Sequence, residues 1–290
     1  MIPGPFDYHA PDTLAGAISL LEQHGDDARV LSGGQSLLPL LKLRLGYVSQ
    51  IVDINRIDGL DTIEEDGEGL RIGGLARESA LTSSVLVAER YPILADAAGV
   101  IADPLVRNRA TIGGNLAHGD PANDHPAVML ALGALVIATG PDGERAIGID
   151  DFFVGPFMTA LEHSEILTEI RIPAPGPRSG GAYLKLERKV GDYATAGAAV
   201  QLSLAEDGTV GNVGIGLTNV GGTPVRANAA QERLAGGVAD EAAVAEAGQL
   251  AAEASDPGED WRGSVDYKRD MARVLTMRAV RKAIERAGGQ

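Results

Sequence analysis

Apolar residues recur at helical spacing near the start of the chain. Leu14, Ala17, Ile18 and Leu21 share one face of PDTLAGAISLLEQHG, which predicts a helix beginning after Asp12 or Thr13, whose side chains can accept from the first free N–H groups. ARVL (28–31) then reads as a short buried strand running into Gly33 and Gly34, and QIVDI (50–54) as another. The first 55 or so residues thus predict a small βαβ unit. GLRIGGLA (69–76) opens a second α/β region. LTSSVLVAERYPILADAAGVI (81–101) predicts helix interrupted at Pro92. ALVIAT (134–139) and EILTEIRIP (165–173) predict strands, and the Pro- and Gly-rich PAPGPRSGG (173–181) predicts a linker. Beyond it, Val200, Leu202 and Leu204, then Val213, Ile215 and Leu217, alternate with other residues around Asp207-Gly208, the pattern of an antiparallel hairpin. The remainder is mostly helical, ending in DYKRDMARVLTMRAVRKAIERA. The expected organisation is two domains, 1–175 and 176–290, the first divided into 1–56 and 57–175.

Composition narrows the function classes. The 290 residues include no cysteine, so this chain cannot supply disulfides, thiolate zinc sites or cysteine-ligated iron–sulfur clusters. A formal net charge of −15 argues against a general nucleic-acid binder. No apolar run is long enough to span a bilayer, and the N-terminal MIPGPFDYHAPD lacks a secretory layout, so a cytoplasmic protein is expected. Residues 266–290 carry a local excess of four positive charges, read as a solvated helix face or as a docking surface for an acidic partner.

Two glycine loops hold the candidate chemistry. In LSGGQSLLPLLKLRL (31–45) a strand gives way to two glycines and then to a helix-compatible run. Such a junction exposes backbone N–H groups that can cradle phosphate without formal charge, and 31–41 contains no Lys or Arg. Taken alone, the loop is equally well a plain tight turn. In ATIGGNLAHGDPANDHP (110–126), Thr111 offers a hydroxyl, Gly113 and Gly114 permit close approach, Asn115 is donor and acceptor, and Asp124 can accept from sugar hydroxyls. Neither loop has the order of a Rossmann or P-loop motif, and GIGLTN (214–219) lies in an alternating strand and is discounted. His118, Asp120, Asp124 and His125 are metal-ligand types without metal-ligand spacing, so no metal is expected. Lys185, alternating with apolar residues, reads by itself as a solvated strand position, and Tyr193 as a residue packing in the C-terminal core.

SGGQSLLPLLKLRL and TIGGNLAHGDPANDHP, about eighty residues apart, together resemble the flavin-binding medium subunit of the molybdenum hydroxylase family, whose branches include the aerobic carbon monoxide dehydrogenase and xanthine dehydrogenase types. EILTEIRIP, YLKLERKVGDYATAGAAV and DYKRDMARVLTMRA extend the resemblance over nearly the whole chain. It implies an α+β protein: a two-subdomain FAD-binding fold of the vanillyl-alcohol oxidase (PCMH-like) type, then an α+β C-terminal domain with a small antiparallel sheet and helices. It implies non-covalent FAD, with Ser32, Gly33, Gly34, Gln35, Ser36 and Leu37 on one side and Thr111, Ile112, Gly113, Gly114 and Asn115 on the other wrapping the pyrophosphate and ribityl chain. Asp124 would hold the nucleotide end, Leu167 and Lys185 would touch FAD, and Ile101 and Tyr193 would lie near the isoalloxazine faces. The implied partners are a large molybdenum-pterin subunit and a small subunit with [2Fe–2S] clusters, assembled as a dimer of heterotrimers. The missing cysteines agree, since the clusters must sit elsewhere. Two other readings stay open: a self-sufficient FAD-dependent reductase or oxidase of the same fold, such as the enolpyruvyl-sugar reductase of cell-wall synthesis, and a non-catalytic assembly module.

Overall fold

The structure, a computed structural model, describes residues 2–288. The chain opens with β1 (Asp7–His9), α1 (Leu14–His24), β2 (Ala28–Leu31), α2 (Leu37–Leu43) and β3 (Gln50–Asp53). Thr13 caps α1 by accepting from the Gly16 N–H, and Ala17, Ile18 and Leu21 are its buried face. The three strands pair in parallel in the order β1-β3-β2, so the expected βαβ unit carries one extra strand. β1 escapes periodicity because it has three residues and two of them are exposed.

A second region contains β4 (Ile63–Glu65), β5 (Gly69–Gly73), α3 (Glu78–Ser83), α4 (Val85–Arg90), α5 (Pro92–Val100), α6 (Pro104–Arg107), α7 (Ile112–His118) and α8 (His125–Leu132). It continues through β6 (Leu135–Gly140), β7 (Gly143–Gly148), α9 (Ile149–Phe152), β8 (Phe153–Gly155), β9 (Met158–Thr159) and β10 (Ile166–Pro173). Five of its strands form an antiparallel sheet, β4-β5-β10-β6-β7, and β8 and β9 pair separately. The helix expected over 81–101 is broken twice. Ser84 is extended and caps α4 through the Val87 N–H, and Pro92, lacking an N–H, occupies the first turn of α5.

β11 (Ser179–Glu187), β12 (Ala194–Leu204), β13 (Val210–Thr218) and β14 (Val225–Arg226) form an antiparallel sheet in sequence order, followed by α10 (Asn228–Leu234), α11 (Glu241–Glu253) and α12 (Val265–Arg286). β10 ends at Pro173 and β11 starts at Ser179, so only 174–178 of the expected linker lies outside the strands. The β12–β13 hairpin turns through Gly208, whose φ of +85° suits glycine. One side of this sheet carries α12, and the other leans on α8. Gly214 and Gly216 make that second contact possible: a Cβ on either would lie 2.1 Å from the carbonyl oxygen of Ala131 or Ala127. The GIG pattern thus has a packing cause. Tyr183 and Ala199 of this sheet belong to the same apolar core as α5, α8 and the five-stranded sheet.

The basic end of the chain is mostly neutralised. On α12, Lys268 pairs with Asp260, Arg273 with Asp270, Arg281 with Glu241, and both Lys282 and Arg286 with Asp96 of α5. These pairs tie the helix down rather than present a basic docking face.

Candidate functional site

The two glycine loops meet. The Ser32 hydroxyl and the Thr111 hydroxyl are 2.7 Å apart although 79 residues separate them. Their backbones differ in one respect that matters for a ligand. In the second loop the N–H groups are already used: Ile112 donates to the Ala76 carbonyl, Gly113 to Gly74, Asn115 to Thr111, and Gly114 to the Thr111 hydroxyl. In the first loop, the N–H groups of Gly33, Gly34, Gln35 and Ser36 have no hydrogen-bond acceptor among the described residues. An anionic ligand would satisfy these four donors. The glycines also serve chain packing. A Cβ on Gly33 would stand 2.3 Å from the Arg109 carbonyl oxygen, and one on Gly113 2.4 Å from that of Gly74. Gly114 instead meets side chains, its own cap Thr111 Oγ1 at 2.7 Å and Ser32 of the opposing loop at 3.8 Å. Asn115 turns a buried, unpartnered Oδ1 inside this region. Leu37 starts α2, and Ile112 is fully buried as the first residue of α7.

Asp124 and Lys185 are a buried ion pair. Asp124 Oδ2 lies 3.0 Å from Lys185 Nζ, and its Oδ1 accepts from the Tyr183 hydroxyl at 2.6 Å. The Lys185 side chain is 3% exposed and also donates to the Val100 carbonyl, with Glu187 at 3.6 Å. This corrects the solvated reading of Lys185: alternation put it on a strand, but that strand face is covered by α5 and by the loop before α8. Burial raises the Asp124 carboxyl, against the pull of Lys185 and Tyr183, and burial together with Asp124 pushes the Tyr183 phenol well above its usual range. Both Asp124 oxygens are thus engaged within the chain, and the carboxyl group fixes Tyr183 and Lys185 in place.

A third group forms where the β11–β12 turn crosses the end of α5. Ile101 is buried at the C-cap of α5, and Ala102 beside it has φ +46°. Arg107 steadies that strained turn by donating to both the Ile101 and Ala102 carbonyls. Gly191 of the opposite turn rests on Ala102. Tyr193 is 49% exposed, so it is not part of the C-terminal core. Arg262 pairs with Asp192 and stacks over both Tyr193 and Trp261, whose ring also faces Arg188. Leu167 is buried in β10, with its carbonyl against Gly74 next to the second loop.

His118, Asp120, Asp124 and His125 do not converge, and among the described residues no group of three or more such side chains could hold a metal. His125 is instead committed to Glu78, 2.7 Å away, with both side chains fully buried. Burial alone would lower the imidazole, but the Glu78 carboxylate, aided by Asp124, raises it above its ordinary 6.5. A raised basic group contributes stability that is complete below 6.5 and is lost as pH rises through the raised value. The melting temperature should therefore fall on the alkaline side of 6.5, and this slope should disappear in Glu78→Gln. An unchanged slope in that variant would refute the coupling.

Sequence reasoning missed Glu78, Tyr183, Asn55, Arg77 and Arg109. Asn55 donates to the Ser32 carbonyl, and Arg77 donates to both Asn55 and the Arg109 carbonyl. The absence of Lys or Arg within 31–41 had suggested dipoles alone; the fold brings in from elsewhere the Arg77 guanidinium, which has no carboxylate partner among the described residues. A cavity of about 390 Å³ is at the other end of α2 among Phe6, Leu41, Leu45 and Tyr47. It touches none of these groups, and the four unsatisfied N–H donors are the better guide to the site.

Comparison with known proteins shows the family. Residues 4–175 match the family described as the FAD binding domain in molybdopterin dehydrogenase, and residues 181–283 match the carbon monoxide dehydrogenase flavoprotein C-terminal domain. The chain is 47% identical over 283 residues to the carbon monoxide dehydrogenase medium chain of Hydrogenophaga pseudoflava, covering 98% of each chain. It is 45% identical over 287 residues to the medium chain of Afipia carboxidovorans, covering 99% of each. A solved structure of the Hydrogenophaga pseudoflava enzyme superposes with a TM-score of 0.96 at 48% identity over 99% of both chains. With two glycine loops joined at Ser32 and Thr111 and both domains matched in order, the chain belongs to the FAD-binding medium subunits of the molybdenum hydroxylases.

Proposed function

We propose that this chain holds FAD non-covalently between its two glycine loops and relays electrons within a larger oxidoreductase. A small [2Fe–2S] subunit would deliver the electrons, a large molybdenum-pterin subunit would oxidise the substrate, and an external acceptor would take the electrons away. The observation that carries this reading is the set of N–H groups from Gly33 to Ser36 that have no acceptor among the described residues, directly after Ser32, whose hydroxyl meets Thr111. FAD accepts and releases electrons singly or in pairs, which lets it join one-electron clusters to a two-electron acceptor. The residues divide the binding. Gly33 to Ser36 donate to the diphosphate, Ser32 and Thr111 bring hydroxyls, and Asn115 offers its free Oδ1. Lys185, fixed by Asp124, contributes a positive charge, while Ile101, Leu167 and Tyr193 supply the apolar and aromatic walls. Residues 1–56 and 57–175 are the two lobes around FAD, and 176–290 closes the site from the other side. Assembly as a dimer of heterotrimers in the cytoplasm completes the proposal. No helix among the described residues is long and apolar enough to cross a membrane.

The chain's lack of cysteine makes the test sharp. Acid denaturation of the purified yellow protein should release intact FAD. Alone, the chain should be reduced by dithionite but not by a substrate. Co-expressed with its partner subunits, its flavin should bleach anaerobically on substrate addition. Carbon monoxide is the first substrate to try, because the relatives of 47% and 45% identity are named for it. Substrate-driven bleaching of the isolated chain would instead establish a self-sufficient flavoenzyme, and a colourless native protein would sink the FAD assignment.

A further inference from the structure

Arg77 is attached to both glycine loops at once. Its backbone forms a bridge with Thr111, the cap of α7, and its Nη1 donates to the Arg109 carbonyl at 2.5 Å. Its Nη2 donates to Asn55 Oδ1 at 2.5 Å, and Asn55 Nδ2 in turn donates to the Ser32 carbonyl at 2.8 Å. Asp53 Oδ1 fixes Asn55 by accepting from its backbone N–H and its side chain. The Arg109 carbonyl gripped by Arg77 is the same atom that a Cβ on Gly33 would strike. One side chain therefore spans from β3, through Asn55, to the chain just before the second loop, at the point where the loops approach most closely.

The Arg77 guanidinium is half-buried and has no carboxylate partner among the described residues. Burial and neighbouring Arg109 lower its pKa, so its position is not explained by ion pairing. A rigid planar fork with donors on two nitrogens fixes the separation of the two acceptors it holds, whereas a lysine ammonium is a single point on a flexible stem.

We propose that Arg77 is a positioning residue: its fork sets the spacing between the glycine loops, and so the width of the cleft that receives the FAD diphosphate. This rests on the reading that those two loops hold FAD.

The test uses the full chain, stripped of flavin and titrated with FAD and, separately, with riboflavin, which has no diphosphate. Wild-type chain that fails to bind FAD would overturn the underlying functional reading. Given wild-type binding, Arg77→Met and Arg77→Lys should each weaken FAD by about ten- to a hundredfold, with riboflavin affinity unchanged. Asn55→Ala removes only the arm to the first loop and should weaken FAD similarly. The double variant Arg77→Met with Asn55→Ala should be no worse than the weaker-binding single variant, because both break one chain of contacts. Rescue by Arg77→Lys would show that charge, not the fork, matters, and would overturn the proposal. Full additivity in the double variant, or equal loss of riboflavin, would overturn it too. If the Arg77 variants do not fold, Asn55→Ala decides: undiminished FAD affinity there rejects the proposal.

Discussion

Asp124→Ala should lower the unfolding free energy by about 3 kcal/mol, because it leaves the covered Lys185 ammonium only the Val100 carbonyl and the more distant Glu187 carboxylate at 3.6 Å. Urea unfolding measures this directly. Lys185→Met should cost less, and the asymmetry follows from chemistry: a carboxyl left alone can take up a proton, and burial has already raised the Asp124 carboxyl. The Tyr183 hydroxyl, 2.6 Å from Asp124 Oδ1, remains as its partner. Combining Asp124→Ala with Lys185→Met should recover part of the loss. If the two single substitutions proved equally mild, the pair would not be the buried contact described above.

Gly33→Ala should empty the flavin site while a glycine of the same type elsewhere tolerates the change. The added methyl would meet the Arg109 carbonyl oxygen at 2.3 Å and Ala110 Cα at 2.8 Å. Both are backbone atoms, so the loops must separate, at a cost of about 1–3 kcal/mol. Gly99→Ala is the control. It lies within α5 with nothing inside 4 Å of the added carbon, and alanine is the better helix former by up to about 1 kcal/mol. FAD content per chain and thermal unfolding of both variants give the comparison. Full flavin occupancy in Gly33→Ala would mean that the first loop does not line the site.

The parts of this molecule written in local pattern were legible from the sequence. The Thr13 cap, the face of Ala17, Ile18 and Leu21, and the turn at Gly208 each lie within a few residues of their causes. Both glycine loops were visible for the same reason. Short edge strands were not. β1 and β4 have three residues each, and β7 is exposed along most of its length, so no apolar period forms. The polar contacts around the site were hidden by distance along the chain. Glu78 reaches His125 across 47 residues, Tyr183 reaches Asp124 across 59, and Arg77 reaches Asn55 across 22. No spacing rule marks such partners, because their meeting depends on how the sheets are stacked. Lys185 misled in the opposite sense: alternation placed it on a strand and could not say which neighbour covers that face.

Gly214 and Gly216 seat the C-terminal sheet directly on the backbone of Ala127 and Ala131. The helix they touch begins at His125, directly after Asp124, while β11 of the same sheet carries Tyr183 and Lys185. A clamshell opening of the C-terminal sheet would pull it off α8 and tear Lys185 from Asp124 in the same movement. Cofactor exchange by domain gaping would thus require partial unfolding. Flavin should leave the assembled chain at a rate that tracks its unfolding rate, and truncation after residue 175 should yield an insoluble fragment rather than a minimal flavodomain.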